Sequence, residues 1–138
     1  MNKFHRRSHL SGNKGFTLLE IIIVLIIISI LASIALPKYF KTVEFARGFE
    51  ALVALGNLRF SMYRYYAPQL TYIGALLSNL DVENPNDDPR RGFDYALNPP
   101  PTVNTFIIKA TRITDPNSWI SMDQDGAKTG NGTYTGIR

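Results

Sequence analysis

Cysteine is absent from the 138-residue chain, and histidine occurs only twice, at His5 and His9. Without cysteine there is no disulfide, no thiol nucleophile and no cysteine-ligated zinc. If the segment with both histidines is removed, the mature chain also lacks a Ser-His-Asp triad and any histidine metal site. The glycine-rich "GAKTGNG" lacks the strand–loop–helix setting of a phosphate loop. No catalytic constellation is visible, and we expect a protein that is not an enzyme.

Acidic residues are missing from the first 15 positions, which hold four basic ones: Lys3, Arg6, Arg7 and Lys14. The formal net charge is +4, and from Phe16 onward eleven Lys and Arg are balanced by eleven Asp and Glu. All of the net basicity therefore precedes the apolar run, which is typical of a membrane-orientation signal. Arg90-Arg91 is interpreted as part of a solvated face, and a DNA partner is not expected.

The longest apolar run extends from Phe16 to Leu36, and Glu20 is its only charged residue. As a helix the run measures roughly 31 Å, enough to cross a hydrocarbon core of about 30 Å. It could be a secretory signal peptide cleaved after Ser33-Ile34-Ala35, a plain membrane anchor, or a segment in which Glu20 has a role. The run is longer than a usual signal core. An ionisable group in a membrane costs about 2.5 to 3.5 kcal/mol near the centre, which favours a role for Glu20.

The residues around that acid are Lys14-Gly15-Phe16-Thr17-Leu18-Leu19-Glu20, followed by the aliphatic run and Pro37. This pattern resembles the class III signal of type IV pilins and of the pseudopilins of type II secretion. The resemblance implies that a prepilin peptidase cleaves between Gly15 and Phe16 and methylates the new amino group of Phe16. Residues 1–15 would then be a basic leader that is removed, and residues 16–36 a transmembrane helix that later forms the filament core.

The same resemblance gives Phe16, Thr17 and Glu20 a part in assembly. In such filaments the glutamate is thought to pair with the N-terminal ammonium of a neighbouring subunit. Because an unpaired charge in an apolar setting is costly, a subunit arriving in register is favoured over one that is not. Glu20 is thus expected to fix the register between neighbouring subunits and to add little to their net binding affinity.

The implied partners are the prepilin peptidase, other copies of the chain and other pilin-like subunits, the inner-membrane assembly machinery and the lipid bilayer. The implied location is the bacterial inner membrane, with a single pass, a cytoplasmic N-terminus and a periplasmic head. From there the subunit would enter a periplasmic or extracellular filament. The alternative is an exported or membrane-anchored periplasmic binding protein with an ordinary signal or anchor.

Residues 37–68 are expected to continue the helix as an amphipathic half that Pro37 kinks and Pro68 ends. Eight apolar positions form the stripe expected to meet a sheet: Phe40, Val43, Ala46, Phe49, Val53, Gly56, Phe60 and Tyr63. Most helix aromatics are also expected to pack on the sheet: Phe40, Phe45, Phe49, Phe60, Tyr63, Tyr65 and Tyr66.

Residues 69–138 are expected to form a globular β-rich head. Turn-rich residues 81–92 predict a surface loop. Strands are predicted at Phe93–Leu97, Thr105–Ile113 and Ser118–Met122, with spacing suited to an antiparallel meander. The predicted fold class is α+β, a long N-terminal helix packed on a small antiparallel sheet, as in pilins.

A calcium ion is the one cofactor that the sequence suggests. Many type IV pilins close a C-terminal loop with a disulfide, which this chain cannot form, and some pseudopilins hold that region with calcium. Asp123 and Asp125 offer carboxylates in a D-x-D-G pattern, which Asp94 or Asp115 could complete only if the fold brings them close. The simpler interpretation is a hairpin turn, because Asp-Gly is a strong turn signal.

Overall fold

A computed structural model describes residues 15–137, so the predicted leader lies, apart from Gly15, outside the described residues. Helix α1 spans Leu18–Gln69. Four strands follow: β1 Phe93–Leu97, β2 Ile107–Arg112, β3 Trp119–Asp123 and β4 Lys128–Asn131. The chain falls into two compact units, with the boundary between Lys38 and Tyr39.

The sheet is an antiparallel meander in the order β1-β2-β3-β4. Its register pairs Tyr95 with Ala110, and Ala110 with Ile120. Strand β2 alternates half-buried and buried residues, so one of its faces points to the core. The predicted α+β fold is confirmed. The second predicted strand is shorter at both ends, the third begins and ends one residue later than predicted, and β4 was not predicted.

The helix face that packs on the sheet differs from the predicted one. The buried helix residues are Gly48, Ala51, Leu55, Leu58, Ser61 and Met62. The predicted stripe is wrong: only Val43 and Gly56 in it are half-buried, and its other six residues are exposed. This half of α1 carries apolar residues on more than one face. Apolar residues recur every three or four positions on each of these faces, so their spacing could not show which face is buried.

Most of the helix aromatics likewise do not pack on the sheet. Phe40, Phe45, Phe49 and Phe60 are exposed. Tyr63 keeps an edge-to-face contact with Phe106, with 6.4 Å between ring centroids. The half-buried Tyr65 and Tyr66 do pack against the core cluster. The prediction that the helix aromatics pack on the sheet therefore holds only for those in the last turns of the helix.

Gly48 allows the C-terminal segment to lie close to the helix. A Cβ on Gly48 would lie 3.0 Å from the ring of Tyr134 and 3.1 Å from Ile137, tighter than ordinary contacts. Tyr134 is fully buried and Ile137 nearly so. Glycine at position 48 thus lets the last described turn of the chain lie directly on α1.

A charged cluster ties the helix, the sheet and the C-terminal segment together, and sequence reasoning missed it. The guanidinium of buried Arg112 on β2 donates to both carboxylate oxygens of Glu44 on α1, and to the carbonyl of Gly92 at 2.6 Å. The hydroxyl of Tyr134 donates to the same carboxylate at 2.7 Å. Glu44 therefore joins parts of the chain 68 and 90 residues away. The chain has no cysteine, so these hydrogen bonds, and not a disulfide, link the distant parts of the chain.

The ionisation of the cluster follows from these contacts. The hydrogen bond from Arg112 lowers the pKa of Glu44, and its carboxylate raises the pKa of Arg112. Burial, followed by the bond to Glu44, raises the pKa of Tyr134. The pair is therefore charged, and the tyrosine neutral, across the physiological range.

Pro37 lies within α1, which continues through it without a break in helix assignment. Proline removes one backbone donor and crowds the preceding turn, so a kink is expected there on general grounds. The kink stays a prediction. The helix ends at Gln69, one residue after the predicted Pro68.

The loop after the helix is fixed through Asp81. Its carboxylate accepts hydrogen bonds from Ser61, which is fully buried, and from Arg64, whose Nη2 donates at 2.8 Å. The bonds from Arg64 and then Ser61 lower the pKa of Asp81 to about 2, from 3.8. Residues 81–92 otherwise form the turn-rich loop that the sequence predicts, with a 3-10 turn at Pro85–Asp87.

Changing Asp81 to asparagine is expected to destabilise the head above about pH 4 and to have progressively less effect below it. The folded state favours the carboxylate, so its stabilisation is complete above the unfolded pKa and is lost as the pH falls through the folded pKa of about 2. Urea unfolding of the full chain in detergent, followed by the fluorescence of the single tryptophan, Trp119, measures the difference across pH.

The matched control is Asp87→Asn in the same loop, because the Asp87 carboxylate has no hydrogen bond or ion pair among residues 15–137. We expect Asp87→Asn to follow the unmodified chain at every pH. A destabilisation by Asp81→Asn that stays constant from pH 6 to pH 2 would contradict the assigned linkage.

Candidate functional site

The N-terminal segment places the proposed scissile bond outside the helix. Residues 15–17 have no regular secondary structure, and α1 begins at Leu18. Phe16 is 78% exposed, and among residues 15–137 a Cβ on Gly15 would meet nothing within 4 Å. Because a peptidase must bind the backbone around the cleaved bond, a non-helical, open Gly15–Phe16 bond suits cleavage without unwinding the helix.

Thr17 caps the helix that follows. Its Oγ1 accepts a hydrogen bond from the backbone N–H of Glu20 at 3.2 Å, and its carbonyl accepts the first helical bond from Ile21 at 3.3 Å. Threonine followed three residues later by glutamate is the sequence of a capping box. The structure thus gives Thr17 a local role, as N-cap, that the sequence reading did not assign.

The carboxylate of Glu20 lies in the first turn of α1, where the helix dipole favours negative charge. Within residues 15–137 no side chain bonds to it, and the residue is exposed. Glu20 is therefore compatible with two roles: a local one in the cap, and pairing with a cation from another molecule. These roles differ in whether charge is required, which makes them separable by experiment.

The apolar half of α1 is exposed along its length. The most apolar 18-residue window of the helix has none of its residues buried within the molecule. Ser29 and Ser33 satisfy their hydroxyls by donating to the carbonyls of Leu25 and Ile30, each at 2.7 Å. With these two hydroxyls satisfied internally, this helix is long and apolar enough to cross a membrane.

Comparison with known proteins bears on this same segment. Residues 10–36 match the model of the prokaryotic N-terminal methylation motif. The chain is also 44% identical over 54 residues to the fimbrial protein EcpC of Eikenella corrodens, a match covering 39% of this chain and 35% of that protein. These matches make the chain similar to pilin-like proteins.

The chain spans about a third of the length of the curated relative that it matches. No solved structure matches the chain significantly.

The carboxylate of Asp123, one of the two acids suggested for a calcium site, closes a turn in the head. Asp123 Oδ1 accepts the backbone N–H groups of Asp125 and Ala127 at 3.0 and 2.8 Å, and Gly126 adopts a positive φ of 84°. This is the hairpin turn between β3 and β4 that the Asp-Gly sequence predicts.

The other two acids considered for that site are engaged elsewhere. Asp94 pairs with Arg91, and Asp115 accepts from Ser118. Within residues 15–137 no three residues of the types Asp, Glu, His or Cys form a group that could hold a metal. Calcium takes six to eight oxygen ligands, which include backbone carbonyls and water, so a site at Asp123 and Asp125 stays a prediction.

Proposed function

We propose that the chain is a structural pilin subunit, cleaved by a prepilin peptidase between Gly15 and Phe16 and methylated on Phe16. It then assembles through α1 into a type IV pilus or a type II secretion pseudopilus. The methylation motif at residues 10–36 is the observation that carries the proposal. An open bond at Gly15–Phe16 and an acid in the first helical turn are what such processing and assembly require.

The exposed apolar surface of α1 supports assembly. Residues such as Ile22, Ile26 and Leu36 keep about half of their surface exposed. Large exposed apolar surfaces are rare on free soluble monomers and mark contacts with lipid or with protein. The bilayer would cover residues 16–36 in the inner membrane, and neighbouring subunits would cover them in the filament, so one surface serves both states.

The name of the matched relative, a fimbrial protein, favours a pilus over a pseudopilus. Imaging of native cells separates the two: a pilus extends beyond the cell surface at native expression, whereas a secretion pseudopilus stays in the periplasm. The exported or anchored binding protein remains the alternative. Since it needs neither the cleavage signature nor Glu20, the mature N-terminus distinguishes it.

Mass spectrometry of the mature protein from the native host is expected to find a chain that begins at N-methylated Phe16. Gly15→Leu should block that cleavage, because a side chain at the scissile position obstructs close approach of the backbone. Gly12→Leu, a glycine three residues upstream, is the matched control and should be cleaved normally. A mature chain beginning at Leu36 would instead indicate an ordinary signal peptide and would reject the proposal.

A further inference from the structure

A row of exposed side chains runs along one face of α1 where the helix enters the head. Lys41, Phe45, Phe49 and Val53 follow one another at intervals of four residues, so they share a face of the helix. The three apolar members are 42%, 54% and 66% exposed, and Lys41 is exposed as well. These four residues, which we call the exposed row, form a narrow apolar stripe with a cation at its N-terminal end.

The exposed row borders an apolar groove on the head. Its three apolar members line this groove together with Met122 of β3 and Ile137, and the groove has a volume of about 460 Å³. Lys128, at the start of β4, is the only charged residue that lines it. Among residues 15–137 the ammonium of Lys128 has no salt bridge. The groove therefore combines bare aromatic and aliphatic surface with a cation that lacks a counter-charge.

This combination fits an amphiphile with an apolar chain and an anionic head. Exposed apolar surface marks contacts with lipid or with protein. A purely apolar partner would bury the ammonium of Lys128 without a counter-charge, which is costly. An anionic phospholipid matches both parts of the groove, because its acyl chain covers the apolar lining and its phosphate attracts the lysine.

A bilayer lies within reach of the groove, because the same helix carries the apolar run of residues 16–36. From Leu36 to Phe45 the helix advances roughly 14 Å, and a helix with its side chains has a radius of about 5 to 6 Å. The headgroup layer extends about 5 to 7 Å beyond the hydrocarbon core. A lean of about 40°, the upper end of the tilts that transmembrane helices adopt, brings the side chain of Phe45 down to the headgroups.

The chain offers a place for such a lean. Proline is among the usual causes of a bend in a long helix, since it removes a backbone donor and crowds the preceding turn. Pro37 lies directly after the apolar run, and the two compact units of the chain divide between Lys38 and Tyr39. A bend at this point lets the head approach the bilayer while the apolar run stays within it.

We propose that the exposed row and its groove bind the surface of the bilayer that holds residues 16–36. An acyl chain of an anionic phospholipid lies in the groove, its phosphate pairs with Lys128, and Lys41 pairs with a neighbouring headgroup. The proposal rests on the membrane insertion of the proposed function and adds a lipid site on the head itself. Bound lipid would hold the head against the membrane, and its release would free the row.

The absence of cysteine allows a single fluorescent probe to report on this contact. The full chain with Val53→Cys, labelled with bimane, is placed one copy per nanodisc in phosphatidylglycerol with brominated acyl chains. The probe is expected to lose most of its fluorescence relative to unbrominated lipid, because bromine quenches it only on contact. Ala54→Cys is the matched control, since Ala54 is the next residue but lines a different cavity, rich in charged residues. A probe there should be quenched little.

The charge of the lipid is tested with the same probe. Replacing phosphatidylglycerol by phosphatidylcholine should weaken the quenching at position 53. Lys128→Gln in phosphatidylglycerol should lower the ratio of lipid-bound to free heads about fivefold, the effect of one lysine near an anionic surface. Arg90→Gln also removes one cation, from a side chain that is 92% exposed and lies outside the groove, and should leave the ratio unchanged.

A further probe separates this proposal from the proposed function. Ile26→Cys lies in the apolar run and should be quenched in every bilayer. Quenching at position 26 but not at position 53, equal quenching at positions 53 and 54, or no response to lipid charge and to Lys128→Gln overturns the lipid site alone. A probe at position 53 that is shielded only in discs with several copies means that another copy covers the row, and this also overturns it. No quenching at position 26 overturns both the lipid site and the membrane insertion.

Discussion

Glu20→Val is expected to lower filament yield by about a hundredfold or more while membrane insertion and cleavage after Gly15 continue. In the proposed assembly the ammonium of Phe16 on one subunit pairs with the Glu20 carboxylate of its neighbour. Without the acid, that ammonium enters an apolar environment unpaired, at a cost of about 2.5 to 3.5 kcal/mol, which corresponds to roughly a hundredfold in an equilibrium. Sheared filament yield and the mass of the membrane-bound subunit are the two measurements.

Glu20→Gln separates the charge from the helix cap. Glutamine serves in a capping box as glutamate does, so this variant keeps the local geometry with Thr17 and removes only the charge. We expect it to fail in assembly as Glu20→Val does. Normal filaments from Glu20→Gln would mean that the acid acts through the cap and not through pairing with Phe16.

Thr17→Ala is the reciprocal control, because it removes the cap oxygen and keeps the acid. Loss of an N-cap costs about 1 kcal/mol, so this variant should assemble with a modest decrease in yield. If Thr17→Ala fails as completely as Glu20→Val, the start of the helix, and not the charge, is what assembly requires.

Glu44→Leu is expected to destabilise the head by about 3 kcal/mol. It removes the acceptor for Arg112 and for the Tyr134 hydroxyl, and it leaves a buried guanidinium that still donates to the carbonyl of Gly92 but has lost its counter-charge. Removing one partner of a buried ion pair costs about 3 to 5 kcal/mol. Because the Glu44 side chain is 26% exposed, we expect a cost at the lower end of that range. Urea unfolding in detergent, followed by Trp119 fluorescence, gives the free energy.

The same carboxylate offers an internal control, because it also pairs with Arg47 on the helix surface at 3.2 Å. The side chain of Arg47 is 48% exposed, and such surface pairs are worth little, so Arg47→Gln should cost less than about 0.5 kcal/mol. Tyr134→Phe, which removes one hydrogen bond, should cost about 1 kcal/mol.

A double variant then tests the interpretation of the cluster. Combining Glu44→Leu with Arg112→Met removes both charges, and much of the lost stability should return because no buried charge is left unpaired. Additive losses in the double variant would show that the cluster acts through packing alone.

The sequence determined the features that depend on neighbouring residues. The apolar length of residues 16–36, the spacing from Gly15 to Glu20 and the capping pattern from Thr17 to Glu20 are all local. Local periodicity also located three of the four strands, but not β4. The Asp-Gly turn at Asp125–Gly126 was predicted for the same reason, since turn type follows from a few adjacent dihedral preferences.

Tertiary structure alone decided which face of the helix is buried and what holds the C-terminal segment. Apolar residues recur every three to four positions on several faces of α1. The buried face is the one on which Gly48 and Ala51 allow the head to approach the helix closely. The cluster of Glu44, Arg112 and Tyr134 joins residues up to 90 positions apart. Such contacts exist only after the sheet and the C-terminal segment have packed on the helix, and no local pattern of residues encodes them.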